Sequence, residues 1–275
     1  MNQNFSLNIK GKLVSLEKPL IMGILNITPD SFSDGGNFNH VDTALAHAEK
    51  MIEEGADILD LGAQSSNPNS SQISAKEEIS RFKNIISTLK RNFPDTLLSV
   101  DTFYSETTKF AHQEGIDIIN DISTGQFDSE MLNSVAETGL PYILMHINPS
   151  YQQMHEKIHY YNIVSSINLF FAEKTQQLNQ LGIHDVILDP GFGFGKTIED
   201  QYTMIEQCEF FNLHQLPLLI GISRKSFIYK PLGKSPLDIV EETQKLHLEV
   251  LKKGAKILRV HDVAATKATL SLLPS

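Results

Sequence analysis

MGILNITPDSFSDGG, Met22 to Gly36, opens as an apolar strand and ends in a polar loop with no hydrophobic period. Asn26 stands where the strand stops. Thr28, Asp30, Ser31, Ser33 and Asp34 follow, with Pro29 and two glycines shaping the backbone. A plain turn does not need so many polar side chains. Loops carried by rigid strands are where binding and catalytic groups collect.

The arrangement recurs. DILDLGAQSS places Asp60 and Gln64 at the end of an apolar run, and LLSVDT places Asp101 there. DIINDIS does so for Asn120 and Asp121, YILMHIN for His146, and VILDPGFGFGK for Asp189. LIGISRKS ends in Arg224, Lys225 and Ser226, and ILRVHD in Arg259, His261 and Asp262. These are eight short apolar runs with polar ends, separated by helical patterns. An open doubly wound sheet would gather its ligand groups at one crevice, where the strand order reverses. Chemistry at nearly every strand end favours a closed α/β barrel, whose eight loops face one mouth. The runs are apolar throughout, as strands covered on both sides should be.

Residues 5–17 alternate weakly around Gly11 and predict a short β-hairpin before the first barrel strand. A first helix is expected near 41–54, with Gly55 as its stop. The next opens with Ser74 and Glu77 as a capping box, then buries Ile79, Phe82, Ile85, Ile86 and Leu89. Further helices are expected near 105–114, 128–138, 160–181, 199–211, 236–253 and 264–272.

At 275 residues the chain is long for an ordinary domain and typical of one α/β barrel. Its 41% hydrophobic content supports a large core. There is no apolar stretch long enough to span a membrane and no signal-peptide pattern at the N-terminus. The single Cys208 excludes an internal disulfide framework and a cysteine metal cluster, so a cytoplasmic location is expected. A net charge of −10 argues against a nucleic-acid partner. The basic residues of interest are local: Arg224 with Lys225, and Arg259 with His261. A small cationic pocket in an acidic protein can still focus a small anion.

Asp101, Asn120 and Asp189 each follow an apolar run and are expected half-buried at the mouth. Singly, each could serve only to cap a neighbouring loop or helix. Together with Lys225 they suit a flat polar heterocycle. Two carboxylates and an amide can read an amino-pyrimidinone edge, and a lysine can donate to its carbonyl. GFGFGK, 191–196, resembles a phosphate loop but lacks P-loop spacing, and reads as a glycine turn passing close to a ligand or strand. Arg259 and His261 alternate along one strand and so share a side, where they would form an anion clamp beside Asn26. His146 and His261 lack a third zinc ligand at metal spacing. The remaining histidines are expected to be solvated.

Met22–Gly36, SVDT (99–102), IND (119–121), LMH (144–146), LDPGFGFGK (188–196), SRKS (223–226) and RVHDV (259–263) closely resemble the dihydropteroate synthase family. The resemblance runs from the hairpin to about residue 272. It implies a single TIM (β/α)8 barrel domain over 1–275, with a short N-terminal β-hairpin, and a homodimer. It implies a transferase of folate biosynthesis that joins p-aminobenzoate to 6-hydroxymethyl-7,8-dihydropterin diphosphate. It puts the pterin against Asp101, Asn120, Asp189 and Lys225, and the diphosphate against Asn26, Arg259 and His261. Mg²⁺ would be held by Asn26 and the diphosphate. Phe32, Ser66, Pro68 and Ser226 would face p-aminobenzoate. Asp30, with Lys225, Arg259 and His261, would act at the reacting centre. A pterin-dependent methyltransferase shares the barrel, but it needs a corrinoid partner and no diphosphate clamp. A non-catalytic pterin-binding homologue is the other alternative.

Two departures stand out. The second loop, usually GGESTRPG, here reads GAQSSNPN, with Gln64 for the glutamate and Asn67 for the arginine. That change should weaken stabilisation of the diphosphate, a charge-assisted bond being worth about 1.5–3 kcal/mol. Near the seventh helix, Asp238, Ile239, Glu242 and Thr243 replace the usual pattern, which bears on local packing or the dimer surface.

Overall fold

Eight strands follow one another around a ring in chain order. The computed structural model describes residues 4–27, 37–64, 72–147 and 153–273. The barrel strands are β3 (Leu20–Asn26), β4 (Ile58–Gly62), β5 (Leu97–Asp101), β6 (Ile118–Asp121), β7 (Tyr142–Met145), β8 (Val186–Asp189), β9 (Leu219–Ile220) and β10 (Ile257–Val260). Neighbours pair in parallel from β3 through β8, and β10 pairs with both β3 and β9. A parallel bridge between Leu188 and Leu218 joins β8 to the β9 side and closes the ring. The chain is a (β/α)8 TIM barrel, and among the described strands the order never reverses to make a crevice.

Each strand is buried on both faces. Met22, Ile58, Ile118, Ile143, Ile187, Leu219 and Ile257 form one apolar cluster inside the barrel. Their sequence neighbours Ile21, Leu59, Ile119, Tyr142, Leu188, Ile220 and Leu258 belong to a larger cluster shared with the helices. The period of two therefore separates two cores rather than core from solvent, which is why the runs read as continuously apolar.

The N-terminal hairpin closes the floor. β1 (Ser6–Ile9) pairs antiparallel with β2 (Lys12–Ser15) across a turn at Lys10 and Gly11. Leu7, Ile9 and Leu16 join the inner cluster. Lys10 Nζ bonds Asp117 Oδ1 at 2.9 Å, and the Asn8 N–H bonds Asp185 Oδ1 at 2.8 Å. The plug is thus tied to both β6 and β8 at their starts.

The helices α1 (Asn37–Glu53), α4 (Ser105–Glu114), α5 (Met131–Thr138), α6 (Ile163–Gln180), α9 (Val240–Lys252) and α10 (Val263–Leu270) lie close to the expected spans. α8 (Ser226–Tyr229) is a short helix directly after β9. Two expectations fail. The helix opened by Ser74 is two helices, α2 (Ala75–Phe82) and α3 (Ile85–Asn92), because Asn84 takes φ +65° and breaks the run. Ser74 does accept the Glu77 N–H, but the buried residue there is Glu78 rather than Ile79. The span 199–211 is likewise α7 (Ile198–Glu206), opened by a Thr197–Asp200 capping box, followed by a 3-10 helix over Cys208–His214. Among the described residues no helix is long and apolar enough to cross a membrane. Around the atypical 238–243 segment, Ile239 is fully buried, Asp238 accepts the Ser235 hydroxyl at 2.6 Å, and Lys234 pairs with Glu242. Its packing is intact.

Candidate active site at the barrel mouth

Two residues beyond the apolar floor, the inward positions become Ile24, Asp60, Asn120, Met145, Asp189, Gly221 and Arg259. Above them come Asn26, Asp101 and His261. Side-chain alternation puts the two sets on the same inner face as the floor residues.

Arg259 is the hub. Its Nε donates to Asp60 Oδ2 and its Nη2 to Asp101 Oδ2, both at 2.6 Å. Burial alone would lower its pKa, but Asp60 and Asp101 outweigh that and hold the guanidinium more firmly charged. Asn120 Nδ2 donates to the same Asp60 oxygen at 3.0 Å. Burial pushes the Asp101 carboxyl up to about 7 against the pull of Arg259, with Asp60 and Glu78 adding to the rise. Burial raises Asp189 too, opposed by a 2.7 Å bond from the Gly191 N–H and by Lys225 and Arg259.

Lys225 is lowered to about 8 by burial and by Arg259, while Asp189 and Asp101 oppose the fall. Its Nζ lies 4.7 Å from the centre of the Phe194 ring. The preceding residue, Arg224, takes a left-handed conformation at φ +57°, an uncommon state for a side chain of that size. Arg224 is held there by Asp262, Nη2 to Oδ1 at 2.6 Å. The glycine loop passes beneath. Gly191 takes φ +71°, and a Cβ there would collide with the His146 carbonyl. A Cβ on Gly193 would stand 3.1 Å from the Lys225 chain. Lys196 Nζ pins the loop through the carbonyls of Gly191 at 2.8 Å and Phe194 at 3.1 Å. The glycine-turn reading of 191–196 holds, with Lys196 spent on backbone rather than phosphate.

His261 Nδ1 lies 3.1 Å from Ser223 Oγ, which also accepts the His261 N–H at 3.2 Å. This favours Nδ1 as acceptor and leaves Nε2–H as donor. Burial, then Arg224 and Arg259, lower the imidazole to about 4. Asn26 and His261 share a cavity of about 600 Å³, bounded also by Ile24, Lys50, Arg224 and Asp262. Asn26 itself is exposed, and its Oδ1 lies 3.7 Å from where a Cβ on Gly62 would be.

The structure brings Asp101, Asn120, Asp189, Lys225 and Arg259 together, with Asn26 and His261 on the rim and Ser226 opening α8 beside Lys225. Asp30, Phe32, Ser66, Asn67 and Pro68 lie outside the described residues. One histidine expectation is corrected: His247 is fully buried, and burial lowers it to about 4. Among the described residues no three His, Cys, Asp or Glu side chains are grouped to hold a metal.

Sequence reasoning missed three elements. Nothing local to Asp60 marks it beyond its place near a strand end. Phe103, Ile122, Met145 and Phe194 form an apolar wall at the mouth; Phe103 lies two residues past β5, Ile122 directly follows β6 and Met145 ends β7, which was the available signal. Glu78, fully buried on α2, accepts the Thr102 hydroxyl at 2.5 Å, and burial raises it to about 7. The stem of the second loop is fastened: Gln64 Oε1 accepts the Ile73 N–H at 2.8 Å, and Tyr104 donates to the Ile73 carbonyl.

Comparison with known proteins follows the same lines. The family described as "Pterin binding enzyme" matches residues 22–261. The dihydropteroate synthase of Escherichia coli (strain K12) is 38% identical over 259 residues, covering 94% of this chain and 91% of the relative. The Xanthomonas albilineans dihydropteroate synthase with 4-aminobenzoic acid superposes with a TM-score of 0.89 at 34% identity, covering 98% and 99% of the two chains. The same enzyme in complex with 7,8-dihydropteroate gives a TM-score of 0.86 at 34% identity, covering 98% and 100%.

Proposed function

Because the chain belongs to the dihydropteroate synthase family of pterin-binding enzymes, we infer that it joins p-aminobenzoate to 6-hydroxymethyl-7,8-dihydropterin diphosphate. The products are dihydropteroate and diphosphate. The observation that carries the site assignment is the polar ring of Asp101, Asn120, Asp189 and Lys225 beside an apolar wall. A flat aminopterin has donors along one edge, a carbonyl, and two apolar faces. Carboxylates and an amide satisfy the donors, and a cationic lysine serves the carbonyl. The wall of Ile122, Met145 and Phe103 excludes water from a face.

The bond to break joins the pterin methylene to diphosphate. Its electron pair leaves with the diphosphate, and the electron-rich ring stabilises the resulting cation. The amine lone pair of p-aminobenzoate then forms the C–N bond, and the ammonium proton is lost. Stabilising the departing anion dominates this scheme. Arg259 supplies fixed charge, and neutral His261 supplies an Nε2–H donor. Lys225 at about 8 is mostly cationic at neutral pH and so able to donate. Asp30 remains assigned to the cation on sequence grounds alone, and Phe32, Ser66, Pro68 and Ser226 to p-aminobenzoate.

Mg²⁺ fits the donor set. Asn26 presents an exposed carboxamide at the rim beside the cationic groups, and Mg²⁺ accepts one protein oxygen with phosphate oxygens and waters completing its shell. When bound there it would neutralise charge developing on the diphosphate. A homodimer is supported by exposed apolar side chains on α6 and the adjoining 3-10 helix, Leu169, Phe210 and Leu213. His214 holds these elements together through Asn168 at 3.0 Å. Light scattering on the purified protein tests that state. A cytoplasmic location rests on the single cysteine.

Turnover tests the whole reading. Purified protein given both substrates and Mg²⁺ should form dihydropteroate, and chelation should slow it. Folded protein that binds pterin yet forms no product would overturn the enzyme assignment.

A further inference from the structure

Arg259 is shared by two carboxylates that differ in kind. Asp60 is fully buried, midway along β4, and takes Nε. Asp101 ends β5, is about a fifth exposed, and takes Nη2. In the proposed function Asp101 binds the pterin and Arg259 the diphosphate, yet here the two are bonded to each other. Both cannot keep that bond and serve substrate fully. The Asp60 bond has no such conflict, because Asp60 lies one layer deeper. The same Asp60 oxygen also holds Asn120, which that reading places on the pterin. Asp60 Oδ1 and the hydroxyl of Ser99, opposite it in the β4–β5 register, have no hydrogen-bond partner among the described residues.

We propose that Asp60 is a positioning residue that holds Arg259 and Asn120 in one register, while Asp101 is the partner Arg259 releases as substrate enters. One buried carboxylate thereby sets both halves of the substrate site, the diphosphate half through Arg259 and the pterin half through Asn120. Asp101 acts in the opposite sense on the two halves. It contributes to the pterin half and competes for the guanidinium that the diphosphate half requires. The inference rests on the function proposed above.

The test is calorimetry on the full chain with two separate probes, 6-hydroxymethylpterin and inorganic diphosphate with Mg²⁺. Asp60→Asn should weaken both by roughly tenfold or more, the scale of one charge-assisted hydrogen bond. Asp101→Asn should weaken the pterin while leaving diphosphate binding as tight as in the wild type, or tighter. A merely structural Asp60 would lower the fraction of competent protein and leave both affinities unchanged. That result would overturn the proposal, as would loss of only one probe, or equal loss of diphosphate in Asp101→Asn. Should Asp60→Asn not fold, the pair Asp60→Asn with Arg259→Gln removes the unpaired cation. Relative to Arg259→Gln alone, it should then weaken the pterin without further weakening diphosphate, and a further tenfold loss of diphosphate would contradict the mechanism. Wild-type turnover measured in parallel separates the two levels. No turnover with the binding contrast intact overturns the enzyme reading and leaves the Asp60 assignment standing.

Discussion

The floor and the mouth of this barrel are made by the same strands, two residues apart, and they follow opposite rules. At the floor, Met22, Ile58, Ile118 and Ile187 meet the hairpin residues Leu7, Ile9 and Leu16 in an apolar cluster. One step along, Asp60, Asn120, Asp189 and Arg259 are turned into the same interior. Isolated charges at such depth would be strongly disfavoured; Arg259 and Asp60 persist there because Arg259 bonds both Asp60 and, one layer above, Asp101. The floor is built for burial. The mouth sacrifices stability to keep charged and polar groups aimed at a ligand.

Substitutions should break this contrast in opposite directions. Ile187→Ala removes a fully buried floor side chain. It should destabilise the protein by about 2–5 kcal/mol in chemical denaturation while leaving the pterin affinity of the folded protein unchanged.

Glu78, buried on α2, bonds Thr102 just beyond the end of β5 and so belongs to the mouth side of the contrast. Burial raises its carboxyl from 4.5 to about 7. A carboxyl raised on folding stabilises the native state below its unfolded pKa, and that contribution is lost as pH rises through the folded value. Glu78→Gln should therefore raise stability at about pH 8 by up to about 3 kcal/mol and change little at about pH 4. Thermal melts at both pH values check it.

Asp189→Ala is the mirror of the floor variant. It leaves pterin donors unpaired, which should cost about 2–3 kcal/mol of pterin affinity. Because burial already disfavours its ionised form, the melting temperature at neutral pH should hold or rise. A large fall in stability with normal affinity would erase the distinction between the two regions.

The smallest effect is spectroscopic. Burial, Arg224 and Arg259 lower His261 to about 4. A histidine lowered on folding contributes stability that is present above about 6.5 and lost as pH falls through its folded value. The His261 imidazole resonance should titrate near about 4, and titration at the ordinary 6.5 would contradict the burial seen at the rim.

The strands were legible because each is a short apolar run closed by polar residues, and their order could be inferred because every end was loaded. Asp101, Asn120, Asp189, Lys225, Arg259 and His261 were legible for the same reason. The interior alternation was not, since both faces are apolar at the floor and period two then leaves no trace. The break at Asn84 was hidden by a hydrophobic period that continues across it, and the 3-10 winding after Glu206 by a pattern that suits α-helix equally. Asp60 and Glu78 escaped because their roles are relations to residues distant in sequence. Asp60 meets a guanidinium 199 positions away, and no local pattern encodes that.

The most direct test of the central claim is a structure of the protein with 6-hydroxymethylpterin bound. The expected ligand lies in the mouth, its edge against Asp101, Asn120 and Asp189, its carbonyl toward Lys225, and one face on the wall that includes Met145. A pterin seated elsewhere, such as in the cavity between Lys50 and Asp262, with the polar ring untouched, would contradict the assignment.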